Sequence, residues 1–146
     1  MNKTIQFDKT YLHKLYNREN QNGPFVIADI GLTNDGSLST CLELIDIASD
    51  LNVDAVKMQM LDADELINNK DVEYTYPTLL RGNITENMVD MFKAIEFSDK
   101  EWSLIRDRCH SRNIGLIITS HVESSVARIS NLDIPVNKIC TWSVNH

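Results

Sequence analysis

Read along the chain, apolar and polar positions resolve into a short set of elements. After a polar leader over residues 1–23, Gly23-Pro24 marks a break and the apolar run FVIADI follows, from Phe25 to Ile30, closed by Gly31. Such a run predicts a strand buried on both faces, the habit of a parallel sheet. Leu32 to Gly36 (LTNDG) is turn chemistry. Leu38, Cys41, Leu42, Ile45, Ala48 and Leu51 then recur at helical spacing and mark one apolar stripe. Asn52 closes that helix, and residues 53–60 (VDAVKMQM) read as a second strand, which completes a βαβ unit.

The next stretch, 61–84, is polar and predicts a long connection with little regular structure, a kind of loop that usually has a function. A helix is expected to resume near Thr85, with Met88, Phe92 and Ile95 on one face. The sharpest local signal is Ser98-Asp99-Lys100-Glu101, which has capping-box spacing, with Phe97 and Trp102 placed as a hydrophobic staple. That helix should run to about Arg112. A strand over 115–119, a helix over 123–132 and a strand over 136–141 complete the pattern. The fold class is therefore α/β, with parallel strands alternating with helices.

Composition narrows the function without naming it. The chain has 146 residues, with 14 Lys and Arg against 21 Asp and Glu, a formal net charge of −7. No basic block is present, so neither nucleic acid nor an anionic membrane surface is expected as a partner. Cys41, Cys109 and Cys140 have no metal-ligand spacing and sit among apolar neighbours, as small core residues do. No stretch has the length of a membrane span or a signal core, and a cytoplasmic location is the expectation.

Parallel α/β proteins carry their sites at the carboxyl ends of the strands. That rule selects Asp29, Lys57 with Gln59, Thr119, and Lys138 with Thr141. Lys57 and Gln59 are two apart and share a strand face. Charged groups inside apolar strands are costly unless they pair or meet a ligand. An Asp29–Lys57 ion pair joining neighbouring strands is the plain alternative. Two lysines, an amide and hydroxyls at one sheet edge favour an anion site.

These residues also carry a resemblance. FVIADIG from Phe25 to Gly31, Asp35-Gly36 and DAVKMQ from Asp54 to Gln59 resemble the opening of the sialic acid synthase (N-acetylneuraminate synthase) family. The likeness continues through IEFS at 95–98, Ile118-Thr119, Ser125-Val126 and KICT from Lys138 to Thr141. It implies the first four β/α units of a TIM-type (β/α)8 barrel, a half-barrel over residues 24–146. It implies condensation of phosphoenolpyruvate with an N-acetylated amino sugar, and a divalent metal, manganese or magnesium, that polarises the sugar aldehyde. Lys57, Thr119 and Lys138 then correspond to phosphoenolpyruvate-binding positions, Gln59 to an active-site glutamine, and Thr141 stands where a serine is usual. Asp29 takes the place of a catalytic glutamate, with Asp29 and Lys57 as the catalytic pair.

The chain departs from the family at several positions. Asp29 is one methylene shorter than the glutamate, and the usual Asn-His-Asn-Gly turn reads Thr33-Asn34-Asp35-Gly36. Ser143 replaces an acid. The family's metal-binding histidines belong to later strands, and neither His121 nor His146 stands in their place; a lone histidine is more often a surface or packing residue. The expectation is that this chain alone binds no metal, does not turn over, and needs a homo-oligomer or a missing barrel half. A non-catalytic half-barrel module or truncated product is the second reading. A phosphorylation-receiver domain is the third, and residues 56–60 (VKMQM) lack the acidic phosphoacceptor it requires.

Overall fold

The computed structural model describes residues 24–144, apart from the Trp142 side chain. The polar leader and His146 lie outside the described residues. Four parallel strands, β1 (Ile27–Gly31), β2 (Ala55–Met60), β5 (Gly115–Ser120) and β6 (Val136–Ile139), form one sheet in the order β1-β2-β5-β6. Helix α1 (Leu38–Asp50) joins β1 to β2, and α5 (Glu123–Asn131) joins β5 to β6. Between β2 and β5 lie α2 (Ala63–Leu66), the strands β3 (Glu73–Thr78) and β4 (Gly82–Asn87), then α3 (Met88–Lys93) and α4 (Asp99–Ser111). Parallel strands alternating with helices are as the hydrophobic pattern predicts.

The core lies on one side of the sheet. Val56, Met58 and Met60 of β2 and Leu116 and Ile118 of β5 pack with Cys41 and Ile45 of α1 and Trp102, Ile105 and Cys109 of α4. Strand alternation sends the intervening residues, Lys57 and Gln59 among them, to the other face. Ser98 and Glu101 form the expected capping box, with the Ser98 N–H donating to Glu101 Oε2 at 2.8 Å and the Glu101 N–H to Ser98 Oγ at 3.4 Å. The bonds that the Ser98 N–H and, at 2.7 Å, the Ser98 hydroxyl donate to Oε2 hold the Glu101 carboxyl below its usual range. Phe97 meets Trp102 edge-on at 5.8 Å, so the staple is present. Arg108 of α4 and Arg112, the residue that caps its carboxyl end, bridge Asp46 of α1 at 2.9 and 3.3 Å. All three cysteines are buried, and burial pushes the Cys41 and Cys109 thiols up to about 12.

Four expectations need correction. The connection over 61–84 is not irregular: it holds α2, β3 and the start of β4, the two strands forming an antiparallel hairpin. Its sequence shows no apolar alternation because no residue of either strand is buried. Backbone pairing, a Thr75–Thr85 hydroxyl contact at 2.8 Å and a Tyr74–Tyr76 stack at 6.0 Å hold it. Thr85 lies in β4, and the next helix starts at Met88, where Asn87 Oδ1 accepts from the N–H groups of Val89 and Asp90 at 2.9 and 3.2 Å. The first strand is not buried on both faces, since β1 is an edge strand and Ile27 remains 44% exposed. The last strand ends at Ile139, with Thr141 opening a 3₁₀ turn over Thr141–Ser143.

Candidate anion-binding site

The strand register assembles the candidate site. Asp29 pairs with Lys57 across β1 and β2, Gln59 with Thr119 across β2 and β5, and Thr119 with Lys138 across β5 and β6. Partners in a parallel register share a face, and Lys57 and Gln59 share one by spacing. Five of the six candidate residues therefore lie on the face opposite the helices, toward the carboxyl ends of the strands. The sixth, Thr141, is exposed at the start of the 3₁₀ turn, outside the register.

Lys57 and Asp29 form the ion pair the sequence offered, Nζ to Oδ2 at 2.6 Å. The lysine side chain is 19% exposed and the aspartate 58%, so the acid sits at the open rim and the ammonium lies deeper. Screening by solvent keeps such a pair to ~1 kcal/mol or less. Gly31, with φ +53°, brings bare backbone close to both neighbours: a Cβ there would lie 3.3 Å from Asp29 Oδ1 and 3.5 Å from Gln59 Nε2. Thr119 is buried, and among the described residues its Oγ1 has no hydrogen-bond partner. Leaving a buried hydroxyl unpaired costs about 1–3 kcal/mol, which a ligand oxygen would offset.

One residue of the cluster lay outside the predicted set. His121 follows β5 directly, is buried, and has Nε2 3.0 Å from Gln59 Oε1. Because Oε1 is an acceptor, the ring donates from Nε2. Burial, then the ammoniums of Lys138 and Lys57, hold its pKa below the usual histidine range, so the ring is neutral at pH 7. Its carbonyl accepts from Ser143 Oγ at 3.4 Å. A signal for His121 was available, since it is a polar residue at the end of an apolar strand.

Two ammoniums, a hydroxyl and an amide can hold phosphate and carboxylate oxygens. A divalent metal finds no comparable set: among the described residues no group of three or more His, Cys, Asp or Glu is placed to hold one. Asp29 is turned to Lys57 and His121 to Gln59. These residues do not fit the metal. No helix among the described residues is long and apolar enough to cross a membrane.

Fold and site together define an α/β protein with a cationic cluster at the carboxyl edge of a parallel sheet. The chain belongs to the NeuB family, whose model matches residues 44–146. It is 30% identical over 122 residues to N,N'-diacetyllegionaminic acid synthase of Legionella pneumophila, a match covering 84% of this chain and 34% of that protein. It is 30% identical over 125 residues to the spore coat polysaccharide biosynthesis protein SpsE of Bacillus subtilis, covering 84% and 32%. Among solved structures it resembles the sialic acid synthetase of Leptospira borgpetersenii, with a TM-score of 0.66 and 25% identity over 81% of this chain and 36% of that one. The chain spans about a third of the length of these relatives.

Proposed function

We propose that this chain carries the phosphoenolpyruvate-binding part of a nonulosonic acid synthase, a sugar-acid synthase of carbohydrate biosynthesis. The observation that carries the reading is the strand register that places Asp29, Lys57, Gln59, Thr119 and Lys138 on one face, in a member of a family whose relatives include a legionaminic acid synthase. Lys57 and Lys138 bind the phosphate and carboxylate, Thr119 Oγ1 donates to a ligand oxygen, and Gln59 orients the amino sugar. Asp29, at the rim beside Lys57, serves as the acid–base group. In the full reaction the enol carbon of phosphoenolpyruvate attacks the sugar aldehyde carbon, and the aldehyde oxygen takes up a proton to become a hydroxyl. Water adds at the phosphate-bearing carbon, from which inorganic phosphate leaves to give the keto acid.

The same reading makes the four parallel strands the first four units of a (β/α)8 barrel, with the site face turned inward. Helices on one side and a polar cluster on the other support this arrangement. Both the amino-sugar condensation and its metal then depend on the part of the relatives' length that this sequence does not span, whether a partner or a second copy supplies it. The 146-residue chain by itself is expected to bind phosphoenolpyruvate without releasing phosphate from it.

Isothermal calorimetry on the folded chain tests the proposal. Phosphoenolpyruvate should bind at one site, inorganic phosphate should compete, and pyruvate should bind more weakly than either. Absence of phosphoenolpyruvate binding in a sample whose circular dichroism shows it folded would overturn the assignment.

A further inference from the structure

The nearest chemistry around Gln59 belongs to His121. The ring is buried at the end of β5, its Nε2 is 3.0 Å from Gln59 Oε1, and the ammoniums of Lys138 and Lys57 both disfavour its positive charge. With Oε1 held by the ring, the Gln59 NH2 group is directed to the Gly31 side, where a Cβ at Gly31 would meet Nε2 at 3.5 Å. The glutamine thus presents its NH2 group as a donor near Asp29, on the strand face it shares with Lys57. An Nε2–H donates in both the neutral and the cationic ring, so taking up a proton on Nδ1 changes the charge of the site without breaking this bond.

Several charged groups on the elements near the ring have partners of their own. Lys57 of β2 pairs with Asp29 of β1, and Lys138 of β6 lies beside Thr119 in the register. On the neighbouring α2 and α5, Asp62 accepts from Ser124 Oγ at 3.1 Å, Glu65 accepts from the N–H groups of Glu123 and Ser124 at 3.0 and 3.3 Å, and Glu123 is exposed. The carboxylates of Asp62, which caps α2, and of Glu65 within it thus hold the start of α5, while the two ammoniums oppose a positive ring. An anion seated between those ammoniums removes the opposition.

We propose that His121 is a proton-linked positioning residue of this site: its ring holds the Gln59 amide, and anion binding between Lys57 and Lys138 draws a proton onto it. The inference rests on the anion-site reading given above. Linkage is reciprocal, so protonation of His121 tightens the anion by the same factor by which the anion favours protonation.

Sulfate is the suitable probe, because its charge does not change between pH 5 and pH 8. The His121 ring is followed by NMR across that range, with and without saturating sulfate. Its titration midpoint should rise by about one pH unit with sulfate, and sulfate affinity should tighten severalfold from pH 8 to pH 5.5, with about tenfold as the limit at lower pH. In His121→Gln, whose amide can still donate to Gln59, affinity at pH 8 should be retained and the pH-dependent tightening lost. Sulfate that binds while the midpoint stays put, or tightening that persists in His121→Gln, would overturn the role of His121 and leave the anion site standing. If neither sulfate nor phosphoenolpyruvate perturbs the strand-end signals, the anion site fails and the inference with it.

Discussion

Gly36→Ala is expected to lower the stability of the chain by about 3 kcal/mol, one of the larger effects a single methyl group can have. Gly36 closes the turn after β1 with φ +72°, and Asn34 Oδ1 accepts its N–H at 3.0 Å. A Cβ there would lie 2.4 Å from the carbonyl oxygen of Ala94 and 2.9 Å from the Cα of Ile95. Both are backbone atoms just beyond α3, so no side-chain rotation relieves the clash. The loss combines left-handed strain with separation of the turn from that segment. Gly82 in the β3–β4 hairpin is the internal control: its φ is +69°, and a Cβ would meet nothing within 4 Å. Gly82→Ala should therefore cost only the strain, ~1–2 kcal/mol. Urea unfolding of both variants checks this. Equal losses would mean that the contact of the turn with Ala94 and Ile95 is not made in solution.

Lys57→Met should separate binding from stability. The long apolar side chain keeps the packing of the lysine stem and removes only the ammonium. A hydrogen bond to a charged group is worth about 1.5–3 kcal/mol, so phosphoenolpyruvate affinity should fall roughly 10- to 100-fold. Stability should change by ~1 kcal/mol or less, because the partner, Asp29, lies open to solvent. Calorimetry and urea unfolding on one preparation read both quantities. A large loss of stability with unchanged ligand affinity would make the pair a clamp between β1 and β2. Asp29→Asn sharpens the comparison, since it removes the internal competitor for Lys57 and should strengthen anion binding severalfold.

Much of this was legible in the chain. The apolar stripe of α1 and the capping box at Ser98 each depend on local spacing, and local spacing is what a single sequence displays. The strand-end rule selected Asp29, Lys57, Gln59, Thr119 and Lys138 because a charged or polar residue in an apolar strand stands out against its neighbours. Their order across the sheet was not legible, since it depends on β5 pairing with β2 across a long insertion. The hairpin in that insertion was missed for a physical reason. None of its residues is buried, so no alternation marks it, and Pro77 argues against a strand from the sequence alone. The edge position of β1 was hidden in the same way, because an apolar run does not reveal what covers it. His121 was passed over because a lone histidine suggests surface or packing; its weight comes from Gln59, 62 residues earlier in the chain.

A crystal structure of the chain grown with phosphoenolpyruvate shows whether one sheet face gathers a phosphoenolpyruvate-binding cluster. The ligand is expected on the face opposite α1 and α4, its anionic groups within hydrogen-bond distance of Lys57, Lys138 and Thr119 Oγ1, with Gln59 still held by His121. Phosphoenolpyruvate bound elsewhere on the chain, with Lys57 and Lys138 making no contact to it, would overturn the assignment of this face.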